Sequence, residues 1–289
     1  MSAYRFCRTD DIGLLVDALN RCWAPYVPGE PPMTAAAFKR SIRDLQVWCS
    51  SCMVAFSGSD PIGVLIGAKR TSGTLIHRIA VHPDHCRQGH GGHLLTSLSS
   101  KLAILGPPRL VAEVPETLAP ACGLFNACGY VEEANLTDYQ LEDAAGSPSA
   151  LSERAASARV EGFMIPVTVE DLDANGLLEN AGTPVCWERS VEALRAKKDD
   201  ITGLAVASDE RIEAYVVHAG GGEILSLRSL VDDGGARLRL LLAHLRAQAE
   251  AVFRLSKVHP AEMPRELLES IGFRAAGRYR LYAATARSE

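Results

Sequence analysis

Residues 76–93 read IHRIAVHPDHCRQGHGGH and hold five of the chain's eight histidines beside three of its glycines. TLIHRIAV alternates as a strand, HPDHCRQ is a polar loop, and GGHLLTSLSSKLAIL spaces Leu94, Leu98, Leu102 and Leu105 as one helical stripe. A strand that passes through a loop into a glycine-opened helix forms an anion nest. Successive backbone N–H groups converge there, the helix dipole stands behind them, and glycine permits close approach. The stretch therefore predicts a phosphate-bearing ligand. A dinucleotide fingerprint requires glycine where Leu94 stands and a first glycine directly behind the strand, whereas the loop His82–Gln88 intervenes here; no GK[ST] follows for a P-loop. His82, His85 and Cys86, like the CxxC pair Cys49 and Cys52, lack the second ligand pair of a zinc site, so no metal is expected.

Upstream of this stretch, YRFCR reads as a strand. DDIGLLVDALNRCW reads as a helix with Asp10 near its start, and MTAAAFKRSIRDL as a second helix capped by Thr34. Three strand-like runs follow, split by turn signals at Gly58–Pro61 and Thr71–Gly73. Downstream come the strand RLVAEV, the segment CGLFNACGY and a last strand TDYQLE. An Ala- and Ser-rich linker then precedes the same order of elements again, from VEGFMIP to GRYRLYAATA. The expectation is an α/β (α+β) protein of two tandem domains, residues 1–143 and 161–289, joined by a linker over 144–160. Each has a mixed, mostly antiparallel central sheet flanked by helices.

Composition bounds the partners. The 289 residues are 47% hydrophobic and 22% charged, with net charge −5, so no basic field is available for nucleic acid or an anionic membrane surface. A neutral or cationic small partner is expected instead. No apolar run approaches the roughly 20 residues that span a bilayer, and the N-terminus lacks a signal pattern. Eight cysteines without framework spacing read as reduced thiols, and together these features place the expectation in the cytoplasm.

The run V81-H-P-D-H-C-R-Q-G-H-G-G92 resembles the acetyl-coenzyme A motif of the GNAT superfamily of acyltransferases, and the element order of residues 4–142 resembles that fold. One departure is visible: the motif's usual Gln or Arg falls on Cys86, with Arg87 and Gln88 displaced toward the glycines. The resemblance implies acetyl-CoA as cosubstrate, its pyrophosphate held by Arg87, Gln88, Gly89, His90, Gly91 and Gly92. The main chain of Ile79, Ala80 and Val81 would lie along the pantetheine arm. His77 matches the histidine base of arylalkylamine acetyltransferases and, by the period of two, shares a strand face with Ile79 and Val81. Glu113 is the alternative base, acting through a water. The family's acid tyrosine is replaced, because L124-F-N-A-C-G-Y130 puts Phe125 in its place. Trp23 and Tyr26 of NRCWAPYVPGEPP are the expected substrate contacts.

The tandem layout is similar to that of mycothiol synthases, whose active half is the second. Here the second half has its loop shortened to Asp232 and Asp233 before Gly234, which predicts a degenerate, non-catalytic domain whose nest is filled by its own carboxylates. The expected function is acetyl transfer to the primary amine of a small molecule. The alternatives are a protein lysine or N-terminal acetyltransferase and a catalytically silent acyl-CoA binding or sensing module.

Overall fold

The structure, a computed structural model, describes residues 2–141, 162–179, 182–248 and 251–287, so the linker over 144–160 lies outside the described residues. The backbone divides into two units, Met1–Ala134 with Tyr279–Glu289, and Asn135–Arg278.

In the first unit the elements run β1 (Ser2–Phe6), α1 (Ile12–Cys22), α2 (Ala35–Leu45), β2 (Met53–Ser57), β3 (Asp60–Arg70), β4 (Gly73–Val81), α3 (His90–Leu105), β5 (Arg109–Pro115) and α4 (Ala119–Ala127). Thr34 caps α2 as expected, its hydroxyl accepting from Ala37 N at 3.1 Å. Strands β1 to β4 form an antiparallel meander, and β5 joins β4 in parallel. α3 lays Leu94, Leu95, Leu98 and Leu102 into a core with Leu65, Leu110 and Phe125. Each leucine contributes about 1.5–3 kcal/mol by burial. The predicted stripe stops one turn early, because Leu105 is 65% exposed at the helix end. α1 buries Leu15, Ala18, Leu19 and Cys22 at helical spacing.

The second unit repeats this plan. It contains β7 (Phe163–Val167), α5 (Val169–Ala174), α6 (Val191–Ala196), β8 (Ile201–Ala207), β9 (Ile212–Ala219), β10 (Glu223–Ser229), α7 (Ala236–Gln248), β11 (Arg254–Val258) and α8 (Arg265–Ser270). α5 and α6 are far shorter than the apolar runs around them suggest: Gly176 and Gly182, both at positive φ, close the first run, and a 3-10 turn at Trp187–Arg189 precedes the second.

The final strands are exchanged between the halves of the sequence. β6 (Val131–Leu141), expected to finish the first half, pairs antiparallel with β11 through Thr137, Tyr139 and Gln140. β12 (Phe273–Thr285), expected to finish the second, pairs with β5 from Tyr279↔Pro115 to Thr285↔Arg109. The first unit's strand order is thus β1-β2-β3-β4-β5-β12, and the second's β7-β8-β9-β10-β11-β6. A division of the chain at residues 143 and 161 therefore does not match the compact units: residues 279–289 belong with the first. The physical reason lies in the core, where Tyr282, fully buried, packs with Phe125, Tyr130 and Ala112 of the first unit.

Candidate active site

β4 and β5 pair only at Thr74↔Leu110 and Leu75↔Val111, after which they diverge and leave a gap in the sheet. Across β3 the register of β4 slips between Ile66↔Arg78 and Gly67↔Ile76, so His77 is the extra residue of a β-bulge. The alternation of faces is broken at this residue, and the two-residue period does not carry from His77 to Ile79 and Val81 as the sequence suggested. His77 lies two residues beyond the last paired residue of β4, Leu75, and Glu113 two beyond its partner Val111 on β5, so both expected bases follow the point where the pairing stops.

Beyond the bulge, His82 donates its N–H to Ile62 O at 2.9 Å on β3. By the alternation of an antiparallel ladder, the main-chain groups of Ile79 and Val81 then turn the other way, toward the gap, and those of Ala80 toward β3. The Val81 carbonyl accepts from Tyr26 Oη at 2.7 Å, and Tyr26 Oη also meets Cys86 Sγ at 3.1 Å. Burial, and then this contact with Cys86, push the Tyr26 hydroxyl well above its ordinary pKa. Tyr26 therefore ties the turn Ala24–Tyr26 to the end of β4 at the mouth of the loop.

The loop itself has the conformation a nest requires. Arg87 (φ 62°) and Gly89 (φ 85°) are both left-handed, which turns neighbouring N–H groups toward one side as α3 begins. For Arg87, which carries a Cβ, that conformation costs about 1–2 kcal/mol, a strain held by the fold around it. The N-cap of α3 is Gly89 and brings no side chain to its own helix end. Gly91 also has a packing role: a Cβ there meets Leu124 of α4 at 3.0 Å, so its smallness lets α3 and α4 pack. Two histidines of the stretch, His90 and His93, make structural contacts. His90 is buried with Nδ1 2.6 Å from Tyr4 Oη, and His93 lies against the Tyr4 ring with centroids 3.8 Å apart. Cys49 and Cys52 are both buried, with Cys52 Sγ donating to Trp48 O at 3.3 Å.

Phe125 is wrapped by two tyrosines, Tyr282 stacked at 5.6 Å between centroids and Tyr130 edge-on at 5.1 Å. Both hydroxyls are buried without a hydrogen bond of good geometry, and burial raises both above the ordinary phenol range. Cys122 raises Tyr282 further while Arg280 lowers it.

Arg78, next to His77 on β4, belongs to a cluster of which the sequence reading named only Trp23. The Arg78 guanidinium sits over the Trp23 ring, 5.1 Å from its centroid. Glu30 Oε2 lies 3.4 Å from Arg78 Nη2 and 3.3 Å from Trp23 Nε1. Trp23 was expected at the substrate, and its partner Arg78 carries no sequence signal because 55 residues separate them; only pairing of the α1 end with β4 brings them together.

In the second unit the equivalent helix end is closed. Asp233 accepts from the N–H groups of Gly235 (2.9 Å), Ala236 (3.2 Å) and Arg237 (3.0 Å), and from the Arg237 guanidinium at 3.0 Å.

A parallel strand pair joined at only two positions, with a glycine-capped helix N-terminus behind it, is the arrangement that the resemblance to acyl-CoA transferases implies. Residues 15–130, within the first unit, match the model of the acetyltransferase (GNAT) family. No curated protein matches the chain by sequence. Among solved structures, a tandem GNAT protein from the clavulanic acid biosynthesis pathway superposes with a TM-score of 0.68 at 15% identity, covering 100% of this chain and 99% of its own. A GCN5-related N-acetyltransferase from Sphaerobacter thermophilus gives 0.68 at 15% identity, over 99% of this chain and 96% of its own. A putative acetyltransferase from Pyrococcus horikoshii gives 0.65 at 16% identity, over 100% and 90%. The tandem GNAT fold therefore extends along the whole chain, and no helix among the described residues is long and apolar enough to cross a membrane.

Proposed function

We propose that the first unit transfers an acetyl group from acetyl-CoA to the primary amine of a small molecule, and that the second unit is a non-catalytic scaffold. The observation that carries this reading is the contrast between the two helix ends: Gly89 leaves one open beside a split sheet, and Asp233 closes the other. The residues present fit acetyl-CoA. The amides of Gly89, His90, Gly91 and Gly92, with Arg87 and Gln88, would hold the pyrophosphate, and the gap-facing main chain of Ile79 and Val81 the pantetheine arm. Acetyl-CoA, when bound, supplies the activated acyl group.

The chain's own residues prepare the acceptor. An amine arrives mostly protonated and must lose that proton before it attacks. His77, on the bulge at the gap, is the base we assign, since imidazole ordinarily titrates near neutrality. Glu113, two residues past the last pairing on β5, is the second candidate, through a water. Gap-facing N–H groups of β4 stabilise oxyanion charge. Phe125 donates no proton, so the departing sulfur relies on water or a neighbouring group. All eight cysteines are free thiols, which supports a reducing compartment and hence the cytoplasm.

The test combines calorimetric titration with acetyl-CoA and a thiol-release assay over a panel of amines. One equivalent bound, with release dependent on a small amine, is the expected result. Tight binding without release on any small amine overturns it in favour of a silent module, and release only on protein amines in favour of a protein acetyltransferase.

A further inference from the structure

The Trp23–Arg78–Glu30 cluster bears on which amine the site takes. Arg78 immediately follows His77 and projects to the α1 side of β4, where Trp23 covers it. Its side chain is only 21% exposed, yet among the described residues its one ion pair is a single 3.4 Å contact with Glu30. Charge-assisted N–H···O bonds are ordinarily about 2.7–2.9 Å, and the guanidinium fork suits two parallel bonds. Arginines elsewhere in the molecule achieve this: Arg5 grips Asp11 at 2.8 and 2.9 Å, and Arg195 grips Asp173 at 2.7 Å through both nitrogens. Those pairs are on the surface, where the incentive is smaller. An arginine beside His77 whose guanidinium pairs, among the described residues, with only one oxygen of a 45% exposed carboxylate is a fork that could take a better-matched partner.

Resting on the acetyl-transfer reading above, we infer that the acceptor is a small amine carrying a carboxylate, and that Arg78 is the residue that selects it. The acceptor's carboxylate displaces Glu30 and takes both guanidinium nitrogens. Trp23 fixes the plane of the guanidinium through the cation–π contact, and the amine is left to reach the gap at His77, the neighbouring residue on the strand. Glu30 is a stand-in for that carboxylate in the free protein: its long contacts give way to shorter ones. The chain's net charge of −5 does not argue against an anionic acceptor, because charges beyond about 8–10 Å are screened while Arg78 acts at contact.

The experiment compares matched acceptors that differ only in a carboxylate against its carboxamide, together with a diamine, in the full chain. Wild type should prefer the carboxylate member by about tenfold or more in kcat/KM, carried by KM, as expected for one charge-assisted bidentate contact. Arg78→Gln should abolish the preference while leaving acetyl-CoA affinity intact, and Arg78→Lys should restore part of it. Glu30→Gln should lower KM for the carboxylate member, which tests the idea without touching Arg78. Acetyl-CoA affinity reports folding of each variant. Equal use of both members, or a preference that survives Arg78→Gln, overturns the inference and leaves the small-amine reading standing. A preference for the diamine that Glu30→Gln removes also overturns it, since Glu30 would then be the recognition group. If no small acceptor is acetylated although acetyl-CoA binds, both readings fall.

Discussion

Replacing Asp233 by Ala removes the acceptor of three backbone N–H groups at the start of α7 and one of two carboxylates on Arg237. Losing a helix cap of this kind costs about 0.5–2 kcal/mol. Arg237 keeps Glu213 at 2.6 Å, so the ion pair adds about 1 kcal/mol and not the 3–5 of a charge stranded in the interior. The sum is about 1.5–3 kcal/mol, or about 4–10 °C in the transition of the second unit. Asp233→Asn keeps the cap and loses the charge, so it should cost about 1 kcal/mol or less. The two variants also separate by pH. Burial alone pushes the Asp233 carboxyl up, but the N–H and guanidinium of Arg237 and the N–H of Gly235 together hold it below its ordinary value. A carboxyl depressed in the folded state stabilises above the unfolded pKa of about 4, and that contribution is lost as pH falls through the folded value. Calorimetry of wild type and Asp233→Asn should therefore show a gap at pH 7 that closes on acidification below about pH 4. An Asp233→Ala protein that melts with wild type at pH 7 would refute the reasoning, as would a wild-type acetyl-CoA stoichiometry of two.

His77→Ala should lower turnover by about 100-fold or more with acetyl-CoA affinity unchanged, and the deficit should shrink as pH approaches the amine's own pKa; a wild-type pH profile in the mutant moves the role to Glu113. Ending the chain at Arg278 removes the β12 strand from β5 together with the buried Tyr282, a loss of about 3–5 kcal/mol from that side chain alone. Acetyl-CoA binding should then be lost although residues 76–93 are untouched, and retained binding by the shortened chain would contradict the exchange of strands. Gly91→Ala sets overpacking on the Leu124 side-chain tip against a gain in helix propensity, so its net effect should stay within about 1 kcal/mol, and Leu124→Ala in the same chain should make the substitution more favourable; additive effects would remove the contact as a cause.

What the sequence made legible was local. The strand-loop-helix of residues 76–93, the Thr34 cap and the leucine stripe of α3 each depend on neighbours within a few residues, and each is found where its pattern lies, apart from the exposed Leu105. The partner of a terminal strand is not local. β6 and β12 both read as amphipathic strands closing a half, and an alternating pattern says that a strand is half-buried without saying against which sheet. The same blindness hid Arg78, whose meaning comes from Trp23 and Glu30 across the fold, and misplaced His77, because a bulge adds a residue that no periodicity announces.

On the proposed reading, little separates a ligand site from its relic. Both have the same strand order, and both pair their parallel strands at only two positions, Thr74 and Leu75 with Leu110 and Val111, and Glu223 and Ile224 with Arg254 and Leu255. Fold and gap are thus common to both, and neither explains why one unit should hold a diphosphate. The loop does. A helix N-terminus carries roughly half a positive charge and several unspent N–H groups, and any anion that reaches it is stabilised. In the second unit the anion is tethered: Asp233 stands two residues before Gly235, and its carboxylate already occupies the N–H groups of residues 235 to 237. A free ligand must displace a group that never leaves, and must do so against the charge of that same carboxylate. In the first unit the residues from His82 to Gln88 carry no acid but Asp84, whose side chain is 85% exposed beside His82, so the N–H groups at Gly89 to Gly92 are left for an anion that comes from outside.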